Sequence, residues 1–300
     1  MPNLDKFRGA LLGLACGDAL GAPVEFKKRG TFSPITEMQS GGVFNLKAGQ
    51  WTDDTSMALC LATSLIERKG FDAHDQMQRY CKWRDEGYFS STGKCFDIGI
   101  ATSLALSSFK KTGNPFSGNS DPSKAGNGCL MRLAPIALFF YSDLNLTIKM
   151  AAESARTTHG ALECLEASQL FGAILHQALN GASKLDILLQ HGCKSLDSER
   201  LQEIANGDYF NQSENHIEGS GYVVASLEAA LWCFYTTESF EAAVQKTVNL
   251  GDDADTTAAI CGQLAGAFYG ESAIPRRWLN TLHQYKMIAG LAEKLMQFNA

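Results

Sequence analysis

Two short acidic runs stand out along the 300 residues, Thr52-Asp53-Asp54 and Asp253-Ala254-Asp255-Thr256. Each opens a stretch of apolar and small residues at helical spacing. Each therefore reads first as a helix start, with Thr52 as N-cap and Asp53 and Asp54 as first-turn acids suited to the positive helix end. A cap needs only one side-chain oxygen. The second run lies in Gly251-Asp252-Asp253-Ala254-Asp255-Thr256-Thr257, whose three carboxylates and two hydroxyls exceed what capping can use. Carboxylate and hydroxyl oxygen suits hard divalent cations such as Mg²⁺ and Mn²⁺, whereas zinc more often recruits His or Cys, and no His stands in either run. If the two helix starts converge, Thr52, Asp53, Asp54, Asp253, Asp255 and Thr256 supply ligands for two ions. Metal-assisted hydrolysis is then the expected chemistry.

Other positions gain meaning beside such a centre. Ser123-Lys124-Ala125-Gly126-Asn127-Gly128 feeds an apolar run, and free backbone N–H groups in a Gly-rich corner at a helix start can hold phosphate, although Gly-Asn-Gly also makes an ordinary turn. His159, in Thr157-Thr158-His159-Gly160, stands between two helical stretches and can bond a ligand oxygen or cap the preceding helix. Glu25 and Asp97 are carboxylates beside helix ends. Tyr222 can stack on a purine or fill the core rim. His74-Asp75 matches the signature dipeptide of helical HD-type metal phosphohydrolases, but that site needs an upstream His and none precedes His74.

The elements that must position these groups read as all-α. Apolar residues recur at helical spacing over 4–22, 54–69, 98–110, 129–142, 145–180, 221–249, 254–270 and 281–297, strand signals are nearly absent, and turn residues gather in 27–50 and 112–128. The first and seventh of these segments carry Gly and Ala at close intervals, at about 1 kcal/mol per interior Gly relative to Ala, so close packing of the two helices on each other is expected. At 45% hydrophobic, 1–300 is expected to form one domain. A net charge of −6 with no basic cluster argues against nucleic-acid binding. Nine scattered cysteines, no leader and no apolar stretch of membrane-spanning length point to a reducing cytoplasm.

Gly17-Asp18-Ala19-Leu20-Gly21, Trp51-Thr52-Asp53-Asp54-Thr55, Gly126-Asn127-Gly128, His159 and Gly251-Asp252-Asp253-Ala254-Asp255-Thr256, in that order, resemble the ADP-ribosylglycohydrolase family, over about residues 5–295. The likeness is greatest to its dinitrogenase reductase-activating branch. The resemblance implies a compact orthogonal helical bundle with a central dinuclear Mg²⁺ or Mn²⁺ site, and hydrolysis of the bond joining ADP-ribose to an acceptor on protein or on a small molecule. By the family pattern Thr52, Asp53, Asp54, Asp253, Asp255 and Thr256 match the metal ligands. Ser123, Gly126, Asn127 and Gly128 match the diphosphate cradle, with His159 beside it, and Tyr222 matches an adenine-stacking position. Glu25 and Asp97 match positions near the scissile bond, either of them a candidate general base. Cys129 stands where many relatives are expected to have Ser, so that position offers a thiol and no hydroxyl to a phosphate. ADP-ribosyl-arginine is the first expectation for substrate. ADP-ribosyl-serine, an ADP-ribosylated nucleobase, a free ADP-ribose derivative or a non-catalytic binding role are the alternatives.

Overall fold

The computed structural model describes residues 2–194 and 196–299; Met1, Ser195 and Ala300 lie outside the described residues. Among the described residues the chain forms fourteen α-helices and no sheet, only isolated bridges. In chain order they are α1 (Leu4–Gly21), α2 (Asp53–Arg68), α3 (Ala73–Glu86), α4 (Ile100–Thr112), α5 (Ala134–Phe139), α6 (Leu144–Arg156) and α7 (Leu162–Leu179). There follow α8 (Lys184–Leu189), α9 (Glu199–Asn206), α10 (Val223–Tyr235), α11 (Phe240–Val248), α12 (Ala254–Tyr269), α13 (Arg276–Thr281) and α14 (Tyr285–Met296). One buried cluster draws on residues from Phe7 to Leu295, and a smaller one, built on Met57, Met77, Tyr80, Trp83 and Leu106, joins α2, α3 and α4.

The centre is the antiparallel pair α1 and α12. Gly9, Gly13, Gly17 and Gly21 recur every fourth residue on one face of α1. A Cβ at Gly9, Gly13 or Gly17 would overlap the carbonyl oxygen of Gly266, Gly262 or Ala258 in turn, and one at Gly21 would overlap the backbone of Asp255. Gly262 and Gly266 answer from the other side, where a Cβ would overlap Gly13 O and Gly9 O. This contact offsets the propensity cost of the glycines, and it fixes the start of α12 against the end of α1. Gly→Ala in a free helix interior stabilises by about 1 kcal/mol. Here Gly13→Ala is expected to destabilise by about 3 kcal/mol, because both backbones must move apart. A urea melt checks this, and an unchanged or higher midpoint would count against the packing.

The helix boundaries differ from the sequence expectation where tertiary contacts intervene. The segment 145–180 is two helices parted at 157–160, where the sequence places His159 between helical stretches, and the chain at Gly118–Asn119 pairs with the break: Gly118 N–H donates to Arg156 O at 3.2 Å and Gly160 N–H to Asn119 O at 3.0 Å. The segment 221–249 is also two, with Ser239 capping α11 through a bond from Ala242 N–H. The segment 129–142 shortens to α5, preceded by a 3₁₀ turn at Asn127–Cys129. Helices α3, α8, α9 and α13 went unforeseen. In α3 the buried Met77, Tyr80 and Trp83 sit among charged residues, which hides the periodicity.

Candidate active site

Neither acidic run uses its side chains as a cap. Thr52 and Asp253 stand at the N-cap positions of α2 and α12, neither with a side-chain capping bond. The organiser is Asp18, buried on α1. Its Oδ1 accepts from Thr52 N–H at 2.9 Å and Thr52 Oγ1 at 3.0 Å, and its Oδ2 from Thr55 N–H at 3.0 Å and Thr55 Oγ1 at 2.6 Å. One carboxylate thus ties the start of α2 to α1, while the glycine face ties the start of α12 to the same helix. The two runs converge: Asp18, Asp54 and Asp255 each offer an oxygen within 4.8 Å of the others, as do Glu25, Asp97 and Asp255.

Seven carboxylates gather here, from Asp18, Glu25, Asp53, Asp54, Asp97, Asp253 and Asp255, and none is in an ion pair with a Lys or Arg among the described residues. Buried oxygens Glu25 Oε2, Asp54 Oδ1 and Asp255 Oδ2 have no hydrogen-bond partner. Burial and, next, mutual repulsion raise these groups: Asp97 to about 8, Glu25 to about 10, and Asp53, Asp54 and Asp255 well above the usual carboxylate range. Burial raises Asp18 to about 6, its four hydrogen bonds opposing the rise. Unpaired buried oxygen donors with no internal cation fit a divalent metal, and these acidic groups could hold one or more ions.

Groups whose folded values lie above their unfolded values stabilise fully at acid pH, and that contribution is lost as pH rises through the folded values. Protein stripped by a chelator should melt at falling temperature as pH rises through about 6 for Asp18 and about 8 for Asp97, and saturating Mg²⁺ at about pH 8 should restore the midpoint. A scanning calorimetry series in which the stripped protein melts uniformly from about pH 6 to about pH 9 would contradict this.

The Gly-rich loop lies beside the acidic floor. Asn127 Nδ2 donates to Asp253 Oδ2 at 2.7 Å and Ser226 Oγ at 3.2 Å, so its amide hydrogens orient the second acidic run. Asn127 N–H donates to Gly221 O at 3.1 Å, and Val223 N–H to Ala125 O at 3.0 Å, which laces the loop to the start of α10. The Cys129 thiol points to the carbonyls of Gly126 and Cys164, so it offers nothing to a ligand in the cleft. His159 packs on the loop: a Cβ at Gly128 would meet its Cε1 at 2.8 Å, so glycine is required there.

Arg132 sets the state of that histidine. The guanidinium is fully buried, packs on the Tyr80 ring, and donates to Gly128 O at 2.9 Å and Thr158 Oγ1 at 2.6 Å. Thr158 Oγ1 lies 2.8 Å from His159 Nδ1. Arg cannot accept, so the hydroxyl proton is free to go to Nδ1, which leaves the proton on Nε2, the nitrogen facing Gly126 and Gly128. Burial and the Arg132 charge lower His159 to about 3, so the ring is a neutral Nε2–H donor.

Glu25, Asp53, Asp97, Gly126, Asn127, Gly128, His159, Asp253 and Thr256 line one cleft of about 750 Å³. Ser123 and Tyr222 line a neighbouring cavity of about 860 Å³ that shares Gly126 and Gly221 with the first. The Tyr222 hydroxyl donates to Glu163 Oε2 at 2.7 Å, which holds the ring at that cavity's edge. Thr52, Asp54 and Asp255 lie beneath the cleft, fully or almost fully buried.

Comparison with known proteins gives the family. The family described as ADP-ribosylglycohydrolase matches residues 1–299. The chain belongs to that family. As an ADP-ribosylglycohydrolase it is a glycosidic-bond hydrolase. It is 41% identical over 293 residues to "ADP-ribosylarginine hydrolase Tri1" of Serratia proteamaculans (strain 568), covering 98% of this chain and 79% of that one. It is 32% identical over 282 residues to "ADP-ribosyl-[dinitrogen reductase] glycohydrolase" of Rhodospirillum rubrum, covering 93% and 90%. A solved structure titled "ADP-ribosylglycohydrolase-related protein complex" superposes with a TM-score of 0.88 at 44% identity, covering 99% of both chains.

Two residues of this ADP-ribosylglycohydrolase escaped the sequence reading as site members. Asp18 belongs to the Gly17–Gly21 motif, and a lone Asp inside an apolar helix needs a buried partner and is itself a signal. Arg132, in Cys129-Leu130-Met131-Arg132-Leu133, is a lone charge in an apolar run and carried the same signal. His74-Asp75 lies on α3, where Asp75 pairs with Arg68 and Arg79 rather than with any site carboxylate.

Proposed function

We propose that this ADP-ribosylglycohydrolase cleaves the bond between ADP-ribose and an arginine guanidinium, reversing mono-ADP-ribosylation of a protein or releasing ADP-ribose from a small molecule. The observation that carries the reading is the cleft itself, in which an acidic floor suited to cations meets a loop and a histidine suited to an anion. Relatives named for ADP-ribosylarginine hydrolysis, 41% and 44% identical, support arginine as the acceptor.

Thr52, Asp53, Asp54, Asp253, Asp255 and Thr256 would hold two divalent cations, Mg²⁺ or Mn²⁺, with Asp18 fixing the geometry of the first run. When bound, the cations neutralise the floor and polarise ribose hydroxyls and water. Gly128 and the His159 Nε2–H would contact the diphosphate, since the N–H groups of Gly126 and Asn127 already donate to Lys124 O and Gly221 O. Ser123 and Tyr222 place the adenosine in the neighbouring cavity. Glu25 and Asp97 move the proton, one taking it from water and the other giving it to the departing nitrogen. The nine scattered cysteines support a reducing compartment, the cytoplasm, and no helix of the described residues is long and apolar enough to cross a membrane.

Thr158→Val removes the donor to His159 Nδ1 and should weaken ADP-ribose binding roughly tenfold, with Thr158→Ser close to wild type. Calorimetry in Mg²⁺ measures it, and an unchanged affinity in Thr158→Val would remove the histidine from the site. The acceptor is tested by ADP-ribose release from peptides or nucleobases carrying defined linkages. Release is expected from arginine; release from serine or a nucleobase alone would reassign the substrate.

A further inference from the structure

One aromatic residue lining the cleft, Phe26, belongs to no part of the mechanism above. Phe26 follows Glu25 in the chain and Phe96 precedes Asp97. Phe44 bridges them, with ring centroids 6.4 Å from Phe26 and 5.3 Å from Phe96. The three rings form a chain of contacts between the sequence neighbours of Glu25 and Asp97, whose carboxylate oxygens lie within 4.8 Å of each other.

Phe26 is held there against two local preferences. Its backbone is left-handed, φ 62°, a conformation that a bulky side chain rarely adopts, and its ring is 64% exposed. The backbone is imposed by pairing with the loop that carries the second acidic run: Phe26 N–H donates to Asp252 O at 2.7 Å, and Asp252 N–H donates to Lys27 O at 2.7 Å. Asp252 and Asp97 are themselves left-handed, φ 55° and 56°. The result is a fixed alternation, with the Glu25 carboxylate buried at the floor and the Phe26 ring at the mouth, both lining the same cleft. Core packing does not explain the ring, whose described ring partner is the edge of Phe44.

We propose that Phe26, backed by Phe44 and Phe96, is the acceptor-recognition wall, and that it selects a planar delocalised cation, the guanidinium of an ADP-ribosylated arginine, over a hydroxyl acceptor. A guanidinium presents its face to an aromatic ring and its N–H edge to carboxylates, and this wall and floor offer both. A serine-linked acceptor has neither the charge nor the plane. The inference rests on the hydrolase reading of this cleft and adds to it the group that sets acceptor preference.

The test compares wild type, Phe26→Ala and Phe26→Trp on an ADP-ribosyl-arginine peptide and a serine-linked peptide, with free ADP-ribose binding measured by calorimetry in Mg²⁺. Phe26→Ala should raise KM for the arginine peptide roughly fivefold with kcat little changed, the signature of binding lost equally in ground and transition states. Phe26→Trp should recover most of that loss. Affinities for free ADP-ribose and for the serine peptide should move less than about twofold in Phe26→Ala, since neither carries a guanidinium. An unchanged KM for the arginine peptide would overturn the inference. So would a parallel loss of ADP-ribose affinity, which would place the ring on the nucleotide side. If wild type released no ADP-ribose from the arginine peptide while still binding ADP-ribose, the hydrolase reading and this inference would fall together; a changed KM ratio cannot arise in that case.

Discussion

Asp255→Asn should lower kcat by about a thousandfold or more, the several kcal/mol that a bound cation contributes to catalysis, and should erase the heat of Mg²⁺ binding. Asp255 is the member common to both carboxylate groups, Asp18–Asp54–Asp255 and Glu25–Asp97–Asp255, so its loss strikes both at once. Its Oδ2 has no partner within the protein. The same substitution should raise the melting temperature of the chelator-treated protein at about pH 8, because it deletes a buried charge that burial and Glu25 already disfavour. Opposite signs for activity and metal-free stability separate a metal ligand from a structural carboxylate. If Asp255→Asn bound Mg²⁺ like wild type, or melted lower without metal, the assignment would be wrong.

The second large effect concerns proton transfer. Glu25→Gln and Asp97→Asn, made separately, should each fold, and at least one should lower kcat on an arginine-linked substrate by about 10²–10⁴ with KM little changed. Both side chains line the cleft, and both are held far above the usual carboxylate range by burial and by neighbouring carboxylates, the environment in which a group exchanges protons near neutral pH. The variant with the larger loss identifies the group whose proton moves in the slow step. Steady-state kinetics at saturating Mg²⁺ decides it. Wild-type turnover in both variants would send the role elsewhere.

How much of this was legible in the sequence depends on what each residue had to contact. The all-α class and the glycine-rich pair α1 and α12 were legible, because a Gly at every fourth position has few purposes besides close backbone approach. The acidic surplus at Asp253–Thr256 was legible for a similar reason: capping could not use it. What failed were boundaries and relays set by distant chain. The break at 157–160 was legible within 145–180, but not the chain that seals it, Gly118 and Asn119 pairing with Arg156 and Gly160. Asp18 and Arg132 were visible as charges in apolar runs, but their partners, Thr52 and Thr55 in one case and Thr158 in the other, are 26 to 37 residues away in the chain. Phe26 could not be singled out at all, since its meaning lies in a left-handed backbone and in two rings from other loops.

The most direct measurement is product analysis by chromatography after incubating the protein with an ADP-ribosyl-arginine peptide, with Mg²⁺ or Mn²⁺ and again with chelator. Intact ADP-ribose and unmodified arginine should appear only when metal is present. Release of AMP or inorganic phosphate instead, or equal release of ADP-ribose in chelator, would contradict a metal-dependent glycosidic hydrolase in this cleft.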